Sequence, residues 1–363
     1  MLAAFVIGLL LILLSSMIAE VGFDAANPSA EVRTWGMRYL KIRIVGAPFV
    51  LVAYVLVGFF RGCADALSPL WITLLINLLN LVGDVVLIHG VWGAPRLGVE
   101  GAAWASVLAR GHASGGGYLL TRYRSYIWCE GALKLESRAQ RLIATNLHLF
   151  GRTACLLFTQ FFLLRTVSGL GEVSLAAHAV LWQVWSLVSY GVDGFAHGVE
   201  TLVGNALGTG DHTGAIATAR RCMKWGGALG AGCGLMFLVG LPQIGALLTD
   251  HVEVVARVAQ MATLLSLTQP FNGLVYILDG ILMGANDVAY LFLAMAIVAF
   301  GIFLPAVLGT MWMSLGLWGA WVAYSALMLG RFALLYGRFR GRKWVRSIGL
   351  PHGTGLDTTA GGF

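Results

Sequence analysis

Four carboxylates, Asp84, Asp193, Glu200 and Asp279, stand within or beside stretches that are otherwise almost wholly apolar. An Asp at the centre of a membrane helix costs roughly 2.5–3.5 kcal/mol on insertion scales, so each acid is expected to face protein or a water-filled cavity between helices. Asn80 and Asp84 are four residues apart and share one helix face. Their amide and carboxylate oxygens suit a proton or a hydrated alkali cation; the alternative is a helix–helix hydrogen bond between buried polar groups. Asp193, His197 and Glu200 form a second row on one face, able to relay protons or bind a cationic substrate, with a structural network as the alternative. Zinc is a poor match, because one His with two carboxylates is not a usual ligand set and no second His is suitably spaced. Tyr276 and Asp279 share a third face, where the alternative is a charge near a helix end that stabilises packing.

The elements that must position these groups are membrane helices. Hydrophobic residues make up 58% of the 363 and charged residues 11%, against about 45–50% apolar in a soluble domain. Apolar segments recur at the length of about 20 residues that a helix needs to cross a bilayer. They lack the alternation of a membrane strand, so the fold is an all-α helical bundle. Ten spans are expected, at about 1–20, 44–61, 68–92, 98–120, 146–169, 174–204, 225–248, 259–283, 288–309 and 315–337. The net charge of +7 comes mainly from Lys and Arg in the connections, at 121–145, near 208–224 and in the tail after 337. That is the positive-inside pattern of a multi-pass protein, with those connections cytoplasmic, and no nucleic-acid partner is expected. The stretch 121–145 reads as a linker between two lobes, 21–43 as a loop, and 341–363 as a disordered tail.

The five cysteines are widely spaced with no C-x-x-C pair, which supports neither a disulfide framework nor a metal site. No Lys or Arg precedes the apolar run at 1–14 and no A-x-A site follows it, so a cleaved signal is not favoured. His89 and His178 fall near expected span ends, where an interfacial role fits. Trp71, Trp182, Trp185, Trp318 and Trp321 could line a substrate path, although tryptophans near helix ends more often anchor the interface. There is no P-loop, no G-x-S-x-G and no H-E-x-x-H, so neither an enzyme nor direct use of ATP is indicated.

The sequence also repeats. Pro48, Phe49, Gly58, Gly62 and Asp65 recur as Pro270, Phe271, Gly280, Gly284 and Asp287, all at an offset of 222. Gly98, Gly101, Ala102 and Ala105 recur as Gly316, Gly319, Ala320 and Ala323 at an offset of 218, so the second copy has a loop four residues shorter. Parallel copies imply two lobes related by an axis along the membrane normal. The division expected is a lobe of four helices at 1–120, the linker 121–145, and a lobe of six helices at 146–340. The first copy has no counterpart of 146–169 and 174–204, which reads either as a chain that begins late, the favoured expectation, or as a true loss of two helices. Asp279 has Val57 as its equivalent, a departure that marks specialisation of the second lobe.

In this order and spacing, several runs resemble the MATE (multidrug and toxic compound extrusion) family, DinF-like branch, without the family's first two helices. They are 39–48, 58–62, Asn77 to Asp84 through Asn80, Gly98 to Ser106 through Gly101, 176–178, Tyr190 to Glu200 through Asp193 and His197, and Tyr276 to Gly280. The resemblance implies a twelve-helix, two-lobed secondary antiporter that exports organic, often cationic or amphipathic compounds in exchange for protons or sodium. It also implies a first-lobe cation site on Asn80 and Asp84, with Ser106 at a position where relatives carry Thr. A further Asp on the family's first helix is absent here. So is a second-lobe acid of sodium-coupled relatives, since that helix reads Cys155 to Gln160 without one. DinF-like members are similar to this chain in carrying Asp193, Glu200 and Asp279.

The expected function is therefore coupled export of small organic molecules by alternating access, from a plasma or organelle membrane, the plastid envelope included. The protein is expected to be a monomer that needs no cofactor beyond the coupling ion. Two alternatives remain, a lipid-linked oligosaccharide flippase of the same superfamily and a transport-inactive membrane protein. The flippase would call for a strongly basic cavity, whereas the acids noted above outnumber the intramembrane arginines identified from the sequence.

Overall fold

The computed structural model describes residues 2–26, 30–62, 65, 67–123 and 135–346. Among them all regular structure is helical: α1 (Leu2–Leu13), α2 (Ser15–Ala26), α3 (Ala30–Val45), α4 (Ala47–Gly62), α5 (Leu67–His89), α6 (Val99–Tyr123), α7 (Leu135–Ser168), α8 (Glu172–Gly208), α9 (His212–Leu248), α10 (Val252–Gly284), α11 (Val288–Val298), α12 (Leu304–Trp312) and α13 (Gly316–Arg340). A helix satisfies every interior backbone group within its own segment, which is why so apolar a chain takes this form. The chain divides into two compact units, Met1–Gly131 and Ala132–Phe363.

Helix covers every expected span, but not as ten straight rods. Seven described helices are long and apolar enough to cross a membrane, or up to nine if two bent pairs each count as one span. The α1–α2 pair bends by 63° and the α3–α4 pair by 51°. The second bend falls at Gly46, just before Pro48, whose missing N–H interrupts the helical ladder. α6 occupies the remaining expected span but falls outside the count; Glu100, Arg110, His112 and a run of glycines dilute its apolar character.

Four boundaries differ from the sequence reading. The segment 21–43 is largely helical, in α2 and α3, because its charged residues do not interrupt a backbone with good helix formers. Helix also invades the linker from both sides, leaving 124–134 outside the described residues. Arg220, Arg221 and Lys224 lie within α9, not in a connection. The tail is structured at 341–346: Trp344 is buried, stacks on Phe339 with ring centroids 5.9 Å apart, and donates from Nε1 to the Phe339 carbonyl. Residues 347–363 lie outside the described residues.

Each unit carries the local signatures of the repeat. The amide of Asp65 donates to the Phe60 carbonyl at 2.9 Å, and the equivalent amide of Asp287 donates to Leu282 at 2.9 Å. Gly98 and Gly316 open equivalent helices with φ of +55° and +62°, a region that suits glycine. In the second unit α10 is central, packed against α8, α9 and α13. Pro305 opens α12 and cannot donate to the preceding turn, and a π segment, Ala299–Phe303, takes up the change in register.

Candidate functional site

In the first unit, α5 and α6 approach closely because small residues face each other. A Cβ on Gly101 would lie 2.5 Å from the Leu87 carbonyl oxygen, and one on Gly83 would lie 3.0 Å from the Ala105 Cβ. These contacts lie about one and two helical turns from a polar pair, in which Asn80 Nδ2 donates to Ser106 Oγ at 3.2 Å. Asp84 follows Asn80 by one turn on α5; its Oδ1 is buried and has no hydrogen-bond partner among the described residues. A buried carboxylate oxygen without a donor is costly unless a proton, a cation or water meets it. The structure thus bonds Asn80 to Ser106 and sets Asp84 beside them.

The second unit has a different construction. Asp279 on α10 is buried, and its Oδ2 accepts from Arg152 Nη2 on α7 at 2.7 Å and from Arg331 Nη2 on α13. Glycine again sets the spacing. A Cβ on Gly280 would collide with the Ala196 carbonyl, and one on Gly284 would lie 2.5 Å from the Glu200 carbonyl oxygen, so α8 and α10 nearly touch at the level of Asp279. Arg152, Asp193, Tyr276, Asp279, Tyr324 and Arg331 all line one cavity of about 280 Å³. Its formal charge balances, two guanidiniums against two carboxylates. Sequence reasoning counted acids and overlooked both arginines. The available signal was the rule applied to the acids: an ionisable residue inside a span faces the protein interior and has a partner.

The row on α8 forms as its spacing implies. His197 Nδ1 lies 3.2 Å from Glu200 Oε2, and Nε2 lies 3.7 Å from Asp193 Oδ2, so the imidazole bridges both acids. Asp193 lines the cavity, while Glu200 does not reach its wall. Tyr276 and Asp279 both do. His178 departs from its interfacial expectation. It is buried, with its ring centroid 5.6 Å from that of Trp321 and 5.9 Å from that of Trp182. Trp182 stacks on Trp185 and Trp321 is fully buried, whereas Trp71 and Trp318 are exposed as interface anchors would be.

The family model described as MatE matches residues 1–86 and 149–309, more than half of the chain. The chain belongs to the MatE family. The two matched stretches end at nearly equivalent points of the repeat. The chain is 30% identical to DNA damage-inducible protein F of Escherichia coli K12 over 346 residues, covering 93% of this chain and 72% of that protein. It is 28% identical to Protein DETOXIFICATION 43 of Arabidopsis thaliana over 85% of this chain. The chain spans 57% of the length of that relative and 60% of Protein DETOXIFICATION 42. Among solved structures, MATE in complex with MaL6 superposes with a TM-score of 0.82 at 17% identity, covering 94% of this chain and 78% of that one. An outward-facing multidrug resistance MATE transporter gives 0.81 at 17% identity, covering 94% and 77%. This MatE chain is a multi-pass integral membrane protein; Asp84 and Asp279 each leave one buried oxygen without a hydrogen bond among the described residues, and they differ in that Asp279 alone of the two is paired with arginines there.

Proposed function

We propose that the chain works in a secondary active antiporter that exports small organic compounds in exchange for protons or sodium. In this reading 1–120 and 146–340 are the lobes of an alternating-access machine joined by 121–145. The observation that carries it is Asp84: an acid on an apolar helix with one buried oxygen that meets no hydrogen-bond donor, and a carboxylate with no cationic side chain against it among the described residues, beside Asn80 bonded to Ser106. Such a carboxylate can take up a proton or, with neighbouring oxygens, a cation, and so change the charge of its surroundings. Coupling further requires the ion and the exported compound to favour different states, because a ligand that binds both states equally shifts nothing. The charged and aromatic cavity of the second unit is the proposed seat of the compound. Its balanced lining does not match the strongly basic cavity a flippase of lipid-linked oligosaccharides would call for.

The test is efflux of a fluorescent organic compound from proteoliposomes under an imposed proton or sodium gradient. Asp84→Asn keeps size and hydrogen bonding but removes the titratable charge, and should reduce gradient-driven efflux to background. Equal activity in the variant would remove Asp84 from the coupling site.

A further inference from the structure

The cavity around Asp279 does not end at its charged wall. Gln160 and Trp182 line both it and a second, open cavity of about 580 Å³ between α7 and α8, whose other walls include Leu157, Phe161, Leu164 and Leu175. Along α7 the two cavities share a single stripe. Arg152, Leu156, Gln160 and Leu164 recur every four residues, covering about 18 Å of helix. On α8, Leu175, Ala179 and Trp182 lead in the opposite chain direction to Ser189 and Asp193. The α7–α8 hairpin therefore lines an apolar channel near its turn and a charged chamber at its far end.

In the charged chamber, Arg331 and Asp279 are almost fully buried and neutralise each other. Arg152 is the surplus cation: it shares the same Asp279 oxygen, its side chain is 20% exposed, and among the described residues only one of its guanidinium donors is engaged. Asp193 is the surplus anion, 48% exposed, with a single long contact to His197. A ligand with only one charge would take water away from both groups while pairing with only one of them, which is costly. We propose that the second unit binds a single-chain amphipath with a zwitterionic head group, its anionic part on Arg152, its cationic part on Asp193 and its tail in the α7–α8 channel. Aromatic rings of Trp182, Trp185 and Tyr324 line the same chamber and add apolar faces along the path from Asp193 to the channel. The inference rests on the second-unit cavity being the compound site.

The test uses the full chain in nanodiscs of phosphatidylglycerol, with retained ligand counted by native mass spectrometry. The probes share one dodecyl tail and differ in the head: phosphocholine and betaine as zwitterions, sulfate as anion, trimethylammonium as cation, maltoside as uncharged. Both zwitterions should be retained roughly tenfold better than the others, as one charged hydrogen-bonded contact implies. Asp193→Asn should move the preference toward the sulfate, and Arg152→Gln toward the trimethylammonium. Arg152→Lys should keep the zwitterion preference, and carries the cation side of the test if Arg152→Gln does not fold. Equal retention of all heads, or variants that change every head alike, would overturn the proposal. Retention is measured at equilibrium with no ion gradient imposed, so a failure of coupling and a failure of this inference are read separately.

Discussion

At positions the repeat makes equivalent, the first unit carries Asn80, Asp84 and Ser106 where the second carries Ile302, Ala306 and Tyr324. Conversely, the second carries Asp279 and Arg331 where the first has Val57 and Ala113. The backbone devices are kept, as the Asp65 and Asp287 turns and the Gly98 and Gly316 helix starts show. A repeated scaffold thus fixes where helices turn and begin while leaving each unit free to place charge on a different helix face. The consequence is energetic. Each acid leaves one buried oxygen without a hydrogen bond among the described residues, but Asp279 places its other oxygen against two guanidiniums, so its charge is part of the packing, whereas Asp84 meets no cationic side chain among the described residues.

The contrast predicts unequal responses to the same substitution. Asp279→Asn leaves Arg331 buried without its counter-charge and should destabilise the protein by about 3–5 kcal/mol, read as a lowered thermal midpoint. Adding Arg331→Met to that variant should recover part of the loss, since the cost comes from the stranded cation. Asp84→Asn strands no cation and should move the midpoint far less; an equal shift in the two single variants would break the comparison.

A smaller effect separates the repeated glycines. Gly280→Ala drives a methyl into the Ala196 carbonyl and should cost about 1–3 kcal/mol by overpacking. At the equivalent Gly58 a Cβ would meet nothing within 4 Å among the described residues, so Gly58→Ala should be neutral or gain up to about 1 kcal/mol from helix propensity. The difference arises because α8, which presses on Gly280, has no counterpart among residues 1–131. Matched thermal melts check it, and similar losses at both sites would show that Gly58 also meets a neighbour. The smallest effect should come from Ser106→Ala, which removes one interhelical hydrogen bond and should cost about 0.6 kcal/mol. The same measurement checks it, and a loss several-fold larger would show that Ser106 supports Asp84 as well as Asn80.

The parts legible in advance are those governed by short-range periodicity. Apolar run length placed the helices, and spacings of three and four placed Asn80 with Asp84 and His197 between Asp193 and Glu200. Such geometry follows from the helix itself and needs no knowledge of its neighbours. The bends at 14 and 46 were less legible: Gly46 and Pro48 within an apolar run are compatible with either a straight or a broken helix, and the break at Leu14 carries neither Gly nor Pro.

By itself, then, the sequence determined the helical class, the repeat and the local faces that carry the acids. Only the tertiary structure decided which groups those acids meet. Arg152 and Arg331 reach Asp279 from 127 and 52 residues away, and no periodicity links residues on separate helices. The glycines that bring α8 onto α10 and α5 onto α6 likewise act only once a partner backbone faces them. Whether an intramembrane carboxylate is free or neutralised depends on a contact between helices, and a contact of that kind is a property of packing.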